Sequence, residues 1–212
     1  MTKISDAQKS SSSASRVHWA LLLTGLAALG WSFHNPFDRT LWYQEAGPAL
    51  VGGIILVCTY RRFRMSTVSY SLLWFFSLIL IYGGHYSYAR TPLGNVFQEA
   101  FDLSRNHFDR FGHFFQGVMP ALVGRELIVR TTPLKQGKWL FVLCCSLALS
   151  ISACYEFIEW AAAVTSEAED FVGSQGDIWD AHWDMLLALL GAITAQLALS
   201  RLQTRQIEQL TK

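Results

Sequence analysis

The segment GDIWDAHWDMLLALLGAITAQLALS occupies residues 176–200 and shows most clearly what kind of fold the chain has. Its first turns carry three aspartates, and the rest is almost wholly apolar. The apolar part approaches the roughly 20 residues that a helix needs to cross a bilayer. The segment therefore predicts a membrane-spanning helix whose first turns are acidic and whose remaining residues are apolar.

Similar apolar stretches recur along the whole chain, which is 51% hydrophobic and has a mean hydropathy of +0.25. We predict an all-α membrane protein, a bundle of six transmembrane helices within a domain of residues 16–203. The predicted spans cover residues 17–33, 45–60, 67–86, 106–127, 139–164 and 178–202. The Ser-rich residues 1–15 predict a disordered tail, and residues 204–212 a second tail.

The positions of Lys and Arg predict the orientation. With both termini cytoplasmic, 13 of the 17 basic residues fall on the inner side, as expected for a bacterial inner-membrane protein. The outer side holds only Arg39, Arg90, Arg105 and Arg110. If residues 106–127 did not cross, the basic group from Arg125 to Lys138 would move outside. Six spans are therefore the self-consistent solution.

Two outer connections have recognisable patterns. Thr91-Pro92 is typical of a helix start, and the apolar residues after it predict a short amphipathic helix at the outer interface between spans 3 and 4, a candidate lid. An ordinary connector packed on the bundle is the alternative. The second connection, residues 165–177, contains Glu167, Glu169 and Asp170 and predicts a hydrated acidic loop.

Ionisable residues within the spans come in pairs that share one helical face, because residues three or four apart are neighbours on a helix. Under the predicted topology, three spans deliver them to the outer side of the bilayer, and His85 is a further candidate from the third span. The proposed cluster consists of Asp109, His113, Glu156, Glu159, Asp177, Asp180 and Asp184.

Charged groups are costly inside a membrane, so a cluster of them indicates a ligand, an ion or mutual compensation. All seven residues are candidate ligands of a divalent cation, since carboxylates suit Mg²⁺, Ca²⁺ or Mn²⁺ and imidazole also suits Zn²⁺ or Fe. Candidate catalytic residues are Asp109, His113, Glu156 and Glu159. A proton path and a purely structural polar network are the alternatives. At the inner end, Arg125-Glu126 predicts a local ion pair or an interfacial anchor.

Several classes of function lack support. The net charge of +1 gives no reason to expect a nucleic-acid partner, and no phosphate-binding glycine motif suggests a nucleotide. The four cysteines lie in apolar stretches without metal-ligand spacing. Membrane lipids are the expected partners, and nothing in the sequence indicates an oligomeric state.

The segments RNHFDRFGHF (residues 105–114), YEFIEW (155–160) and GDIWDAHWDM (176–185) resemble the YjdF-type family of bacterial inner-membrane proteins. The resemblance extends over most of residues 40–202, but it implies no activity. The chain is also distantly similar to VanZ-like membrane proteins. This resemblance implies that it binds or acts on an envelope lipid or cell-wall precursor. A module that binds or processes such a lipid is the leading hypothesis. The alternatives are a small proton-coupled transporter and a non-catalytic structural or resistance factor.

Overall fold

The computed structural model describes residues 2–165 and 175–211, and over these residues the protein is helical without strands. The helices are α1 (Thr2–Phe33), α2 (Arg39–Thr59), α3 (Thr67–Tyr86), α4 (Pro92–Ala100), α5 (Phe108–Thr131), α6 (Lys138–Thr165) and α7 (Asp180–Leu210). A single 3-10 turn, Tyr88–Arg90, joins α3 to α4. The acidic residues Glu167, Glu169 and Asp170 of the predicted loop lie outside the described residues.

Four helices, α2, α3, α6 and α7, are long and apolar enough to cross a bilayer. Within the described residues, α1 and α5 do not meet the same measure. For α5 the reason is its polar content, since Asp109, Arg110, His113, Arg125 and Glu126 all belong to it. The all-helical membrane fold is therefore confirmed, whereas six spans and two cytoplasmic termini stay predictions.

Several helix boundaries differ from the predicted ones. Helix α2 starts at Arg39, ahead of the predicted residue 45, because the Asp38 carboxylate caps it by accepting a hydrogen bond from the Leu41 amide (2.7 Å). Helix α7 continues to Leu210 through the predicted tail at 204–212, since Gln203 and Ile207 are buried in the bundle.

The N-terminal segment also differs from its prediction. Helix α1 begins at Thr2, so residues 2–15 are helical where the Ser-rich composition predicts a disordered tail. Extending an existing helix costs far less than nucleating a new one, and the apolar part of α1 supplies that nucleus.

Helix α5 is central to the bundle, contacting α3, α6 and α7, while α3 also packs on α1 and α2. Glycines bring α5 and α7 into backbone contact. A methyl group added at Gly191 of α7 would overlap the backbone carbonyl of Phe114 of α5. Small residues permit such close approach between helices. The contact brings the polar beginnings of α5 and α7 together.

A polar network closes the opposite end of the bundle. The Glu126 carboxylate is fully buried and accepts hydrogen bonds from the Ser66 backbone amide and hydroxyl, the Ser69 hydroxyl and Arg130. Arg125 instead donates to Gln203 of α7 (2.8 Å). The expected pairing of Arg125 with Glu126 is wrong, because adjacent residues point to different faces of a helix.

Candidate functional site

Three buried side chains from two helices meet where α5 and α7 begin. Asp109 and His113 lie one turn apart on α5, and Asp184 lies in the second turn of α7. Their relative exposures are 5%, 3% and 1%. One potential ligand atom from each falls within 4.8 Å of the other two. Asp184 lies 75 residues after Asp109 in the sequence, and the close α5–α7 contact brings it to the pair on α5.

Helix α6 adds two carboxylates beside this group. Glu156 Oε1 lies 3.5 Å from His113 Nε2, and Asp109 Oδ1 lies 3.7 Å from the same nitrogen. On its other side the His113 ring faces the Ser152 hydroxyl, with 3.5 Å between Nδ1 and Oγ. His113 Nε2 is therefore the ring nitrogen that faces the acids. Glu159 is buried and lines the adjoining cavity.

A sixth participant, Glu45 of α2, is absent from the predicted set. It is 3% exposed, lines the same cavity and accepts a hydrogen bond from the Tyr155 hydroxyl (2.9 Å). The signal that could have identified it is its position, because Glu45 is the one carboxylate within the second predicted span. We call Asp109, His113, Asp184, Glu156, Glu159 and Glu45 together the inner cluster.

A small cavity of about 20 Å³ adjoins the inner cluster. This is room for about one water molecule or one ion. Its walls include Glu45, Asp109, His113 and Glu159. Asp184 Oδ1 is buried nearby and makes no hydrogen bond. A buried carboxylate oxygen without a donor is costly, so this atom is available to a ligand.

The two remaining predicted members belong to a separate layer. Asp180 Oδ1 lies 2.5 Å from Arg105, and Asp177 Oδ2 lies 2.5 Å from Arg110. Arg105 also lies 3.7 Å from Asp177, and Arg110 lies 3.8 Å from Asp180, so the two pairs are in contact with each other. We call these four residues the ion-pair layer. The arginines match the charges of Asp177 and Asp180. These two carboxylates are therefore not available to a ligand in the way that Asp184 is.

The environment of Asp177 favours its ionised form. The Trp179 backbone amide donates a hydrogen bond to its Oδ1 (2.9 Å), and the Arg110 and Arg105 guanidiniums are close by. These contacts lower the pKa of Asp177 below its usual value. Asp177 therefore stays ionised at ordinary pH.

Two other predicted features lie away from the inner cluster. His85 packs on α1, with its Nδ1 2.9 Å from the Ser32 carbonyl and its ring against Trp31. Helix α4 forms as predicted, with Pro92 in its first turn, but it supplies none of the described cavity walls. It is fastened by Asn106, whose amide donates to Asn95 Oδ1 (2.8 Å).

The helical bundle with ionisable side chains gathered in its interior defines an integral membrane protein with a buried polar site. The chain belongs to the DUF2238 family of predicted membrane proteins, whose family model matches residues 17–205. It is similar to the inner membrane protein YjdF of Escherichia coli (strain K12). The two are 42% identical over 191 residues, which cover 89% of this chain and 88% of YjdF. No solved structure matches the chain.

These comparisons confirm the resemblance to the YjdF-type family and the location of the protein, a multi-pass protein of the inner membrane. The distant similarity to VanZ-like proteins is supported by neither match and stays a prediction.

Proposed function

We propose that the inner cluster binds a divalent cation, and that the protein uses it to bind or process an envelope lipid or cell-wall precursor. The observation that carries the proposal is the convergence of Asp109, His113 and Asp184, whose ligand atoms lie within 4.8 Å of one another. The unpartnered Asp184 oxygen is a second, independent indication.

The distances suit a shared ion. Two ligands about 2.1 Å from one tetrahedral ion are separated by roughly 3.4 Å. His113 Nε2 lies 3.7 Å from Asp109 Oδ1 and 3.5 Å from Glu156 Oε1, so small movements suffice for coordination. Two carboxylates with one imidazole suit Zn²⁺, Mn²⁺ or Fe²⁺ better than Ca²⁺, which prefers six to eight oxygens.

The charges also support a cation. Asp109, Asp184, Glu156 and Glu159 come close together, while Arg105 and Arg110 are engaged by the ion-pair layer. Carboxylates that share a site repel one another when ionised, and the low dielectric of a bilayer strengthens the repulsion. A bound divalent cation offsets two of these negative charges.

The proposed topology supports a lipid substrate. In a six-span bundle with cytoplasmic termini, the inner cluster lies near the outer surface, within reach of an outer-leaflet headgroup. There a cation can act as a Lewis acid on a headgroup oxygen, and Glu156 or Glu159 as a general base. A proton-coupled transporter fits less well, because the buried apolar residues Val118, Leu122 and Ala195 separate the inner cluster from the Glu126 network.

Metal analysis of the detergent-purified protein tests the cation. We expect about one equivalent of bound metal after equilibration with Zn²⁺ or Mn²⁺. Asp109→Asn and Asp184→Asn should weaken binding by more than the 10- to 100-fold typical of changes outside the ligand shell. Asp102→Asn, at an exposed position with a positive φ that Asn tolerates, is the matched control. Metal-free wild type, or equal binding by all three variants, would contradict the proposal.

A further inference from the structure

Gln116 of α5 presents a buried oxygen that has no hydrogen-bond partner. The residue is 7% exposed, and its Oε1 is buried and accepts no hydrogen bond. It belongs to the walls of the small cavity, together with Asp109, His113 and Glu159. An amide oxygen buried without a donor is costly, so its position in the cavity wall points to a ligand there.

Gln116 shares a helical face with the two candidate ligands of α5. It follows Asp109 by seven residues and His113 by three, spacings of about two turns and one turn. Side chains at such spacings form one stripe along a helix. The stripe therefore continues from the two candidate ligands to a third polar side chain, which lines the same cavity.

Two contacts with α7 lie on either side of Gln116 along α5. On one side, His113 and Asp184 have ligand atoms within 4.8 Å of each other. On the other side, a methyl group added to Gly117 would overlap the backbone carbonyl of Ala188. Gln116 thus lies in the part of α5 that is held close to α7. The packing of the two helices brings its side chain to the neighbourhood of Asp184.

We propose that Gln116 Oε1 is a further ligand of the cation held by the inner cluster. The inference rests on the proposed function, because it takes the inner cluster as a cation site. It adds a neutral oxygen to the ligand atoms of Asp109, His113 and Asp184. Glu156, whose buried Oε1 also has no hydrogen-bond partner, completes a set of five.

The enlarged set of ligands favours Mn²⁺ over Zn²⁺. Four oxygens and one imidazole nitrogen exceed the four ligands that Zn²⁺ usually takes in proteins. Carboxylate and carbonyl oxygens suit Mn²⁺, whose usual coordination is octahedral. Five ligands from the protein leave one octahedral position for an exchangeable oxygen ligand. The adjoining cavity, with room for about one water molecule, is of the size that such a ligand needs.

Binding of Mn²⁺ to the detergent-purified protein, measured by EPR, tests the assignment. Gln116→Met keeps the length of the side chain but replaces the amide by a thioether, which does not suit Mn²⁺. We expect this variant to bind Mn²⁺ at least about tenfold more weakly than wild type. Gln196→Met is the matched control and should leave the affinity unchanged. Gln196 is also a buried glutamine, but its amide donates to the Phe141 carbonyl (3.2 Å), away from the inner cluster.

A measurement on the wild type covers the case in which Gln116→Met folds poorly. Glutamine labelled with carbon-13 at the side-chain carbonyl gives a distinct infrared band. We expect Mn²⁺ to shift part of this band to lower frequency, because coordination through oxygen weakens the C=O bond. The shift should persist in Gln196→Met.

Three results would overturn the role of Gln116 and leave the cation site standing. They are Gln116→Met binding as tight as that of wild type, equal weakening by both methionine variants, and bound Mn²⁺ without a shifted band. Wild type that binds Zn²⁺ but not Mn²⁺ would likewise overturn only the five-ligand set. Wild type that binds neither metal would overturn both proposals.

Discussion

Gly117 of α5 lies so close to Ala188 of α7 that a single added methyl group would overlap the Ala188 carbonyl oxygen. The contact falls about two turns below Asp109, on the pair of helices that carries Asp109 and Asp184. The spacing of α5 and α7 at this glycine thus sets the spacing of carboxylates that are 75 residues apart in sequence.

Gly117→Ala should therefore both destabilise the protein and weaken its polar site. Overpacking of this kind costs about 1–3 kcal/mol, because the backbone of Ala188 cannot rotate out of the way. The measurement is the midpoint of thermal aggregation in detergent, together with metal binding by the folded fraction. Gly52→Ala is the control, since a methyl group there meets open space. Equal midpoints for the two variants would contradict the close contact.

Glu45 of α2 is hydrogen-bonded to Tyr155 of α6, so replacing Glu45 should lower the thermal stability by weakening the contact between these helices. Glu45→Ala leaves the hydroxyl of the half-buried Tyr155 without its acceptor, which costs about 1–3 kcal/mol. Glu45→Gln keeps an acceptor oxygen and should lose less. Thermal midpoints of the two variants and of Tyr155→Phe check this. If the bond matters, Glu45→Ala and Tyr155→Phe are not additive when combined.

Glu126 is expected to be the most sensitive position at the opposite end of the bundle. It is 0% exposed and accepts hydrogen bonds from Ser66, Ser69 and Arg130. Removing one member of a buried pair costs about 3–5 kcal/mol, because the partner charge is left uncompensated. We expect Glu126→Ala to lower the yield of folded protein sharply, and Glu208→Ala, at an exposed position, to leave it unchanged. Because Glu126 is remote from the inner cluster, the residual folded Glu126→Ala protein should still bind metal.

Asp177 should keep its stabilising contacts in mild acid. The pKa of Asp177 is lowered by the Trp179 amide and the arginines, so its stabilising contribution is complete above the unfolded pKa of about 3.9. That contribution is lost only as the pH falls through the lower, folded-state pKa. The difference in thermal midpoint between wild type and Asp177→Asn should thus stay constant from pH 7 to about 5. A difference that shrinks between those values would show that Asp177 is not held in this way.

The sequence predicts helices better than it predicts their partners. Hydropathy and basic residues identify the apolar helices, and Pro92 marks the start of α4, because these signals are local. The different partners of Asp180 and Asp184 do not follow from a local signal. The two lie one turn apart on one face, yet Arg105 engages the first while the second faces Asp109. Such a division depends on residues 75 or more positions away, which no helical pattern encodes.

Glu45 was missed for a related reason. A lone carboxylate at the edge of an apolar stretch is usually an interfacial residue. The place of Glu45 in the cavity wall and its bond to Tyr155 show that it belongs to the inner cluster. Likewise, His85 has the depth expected of a cluster member but faces α1. Depth along a helix follows from the sequence, whereas the direction in which a side chain points depends on how the helices pack.

The polarity of α5 has a consequence for how the protein is made. In the six-span arrangement, a nascent chain that ends before α7 would leave Arg125 without Gln203 and Thr204 and would leave Asp109 near neither Asp184 nor the arginine pairs of Asp177 and Asp180. A helix this polar has little reason to stay in lipid by itself. Stable insertion of α5 is therefore expected to wait for synthesis of α7, so that α7 determines whether α5 is retained in the bilayer.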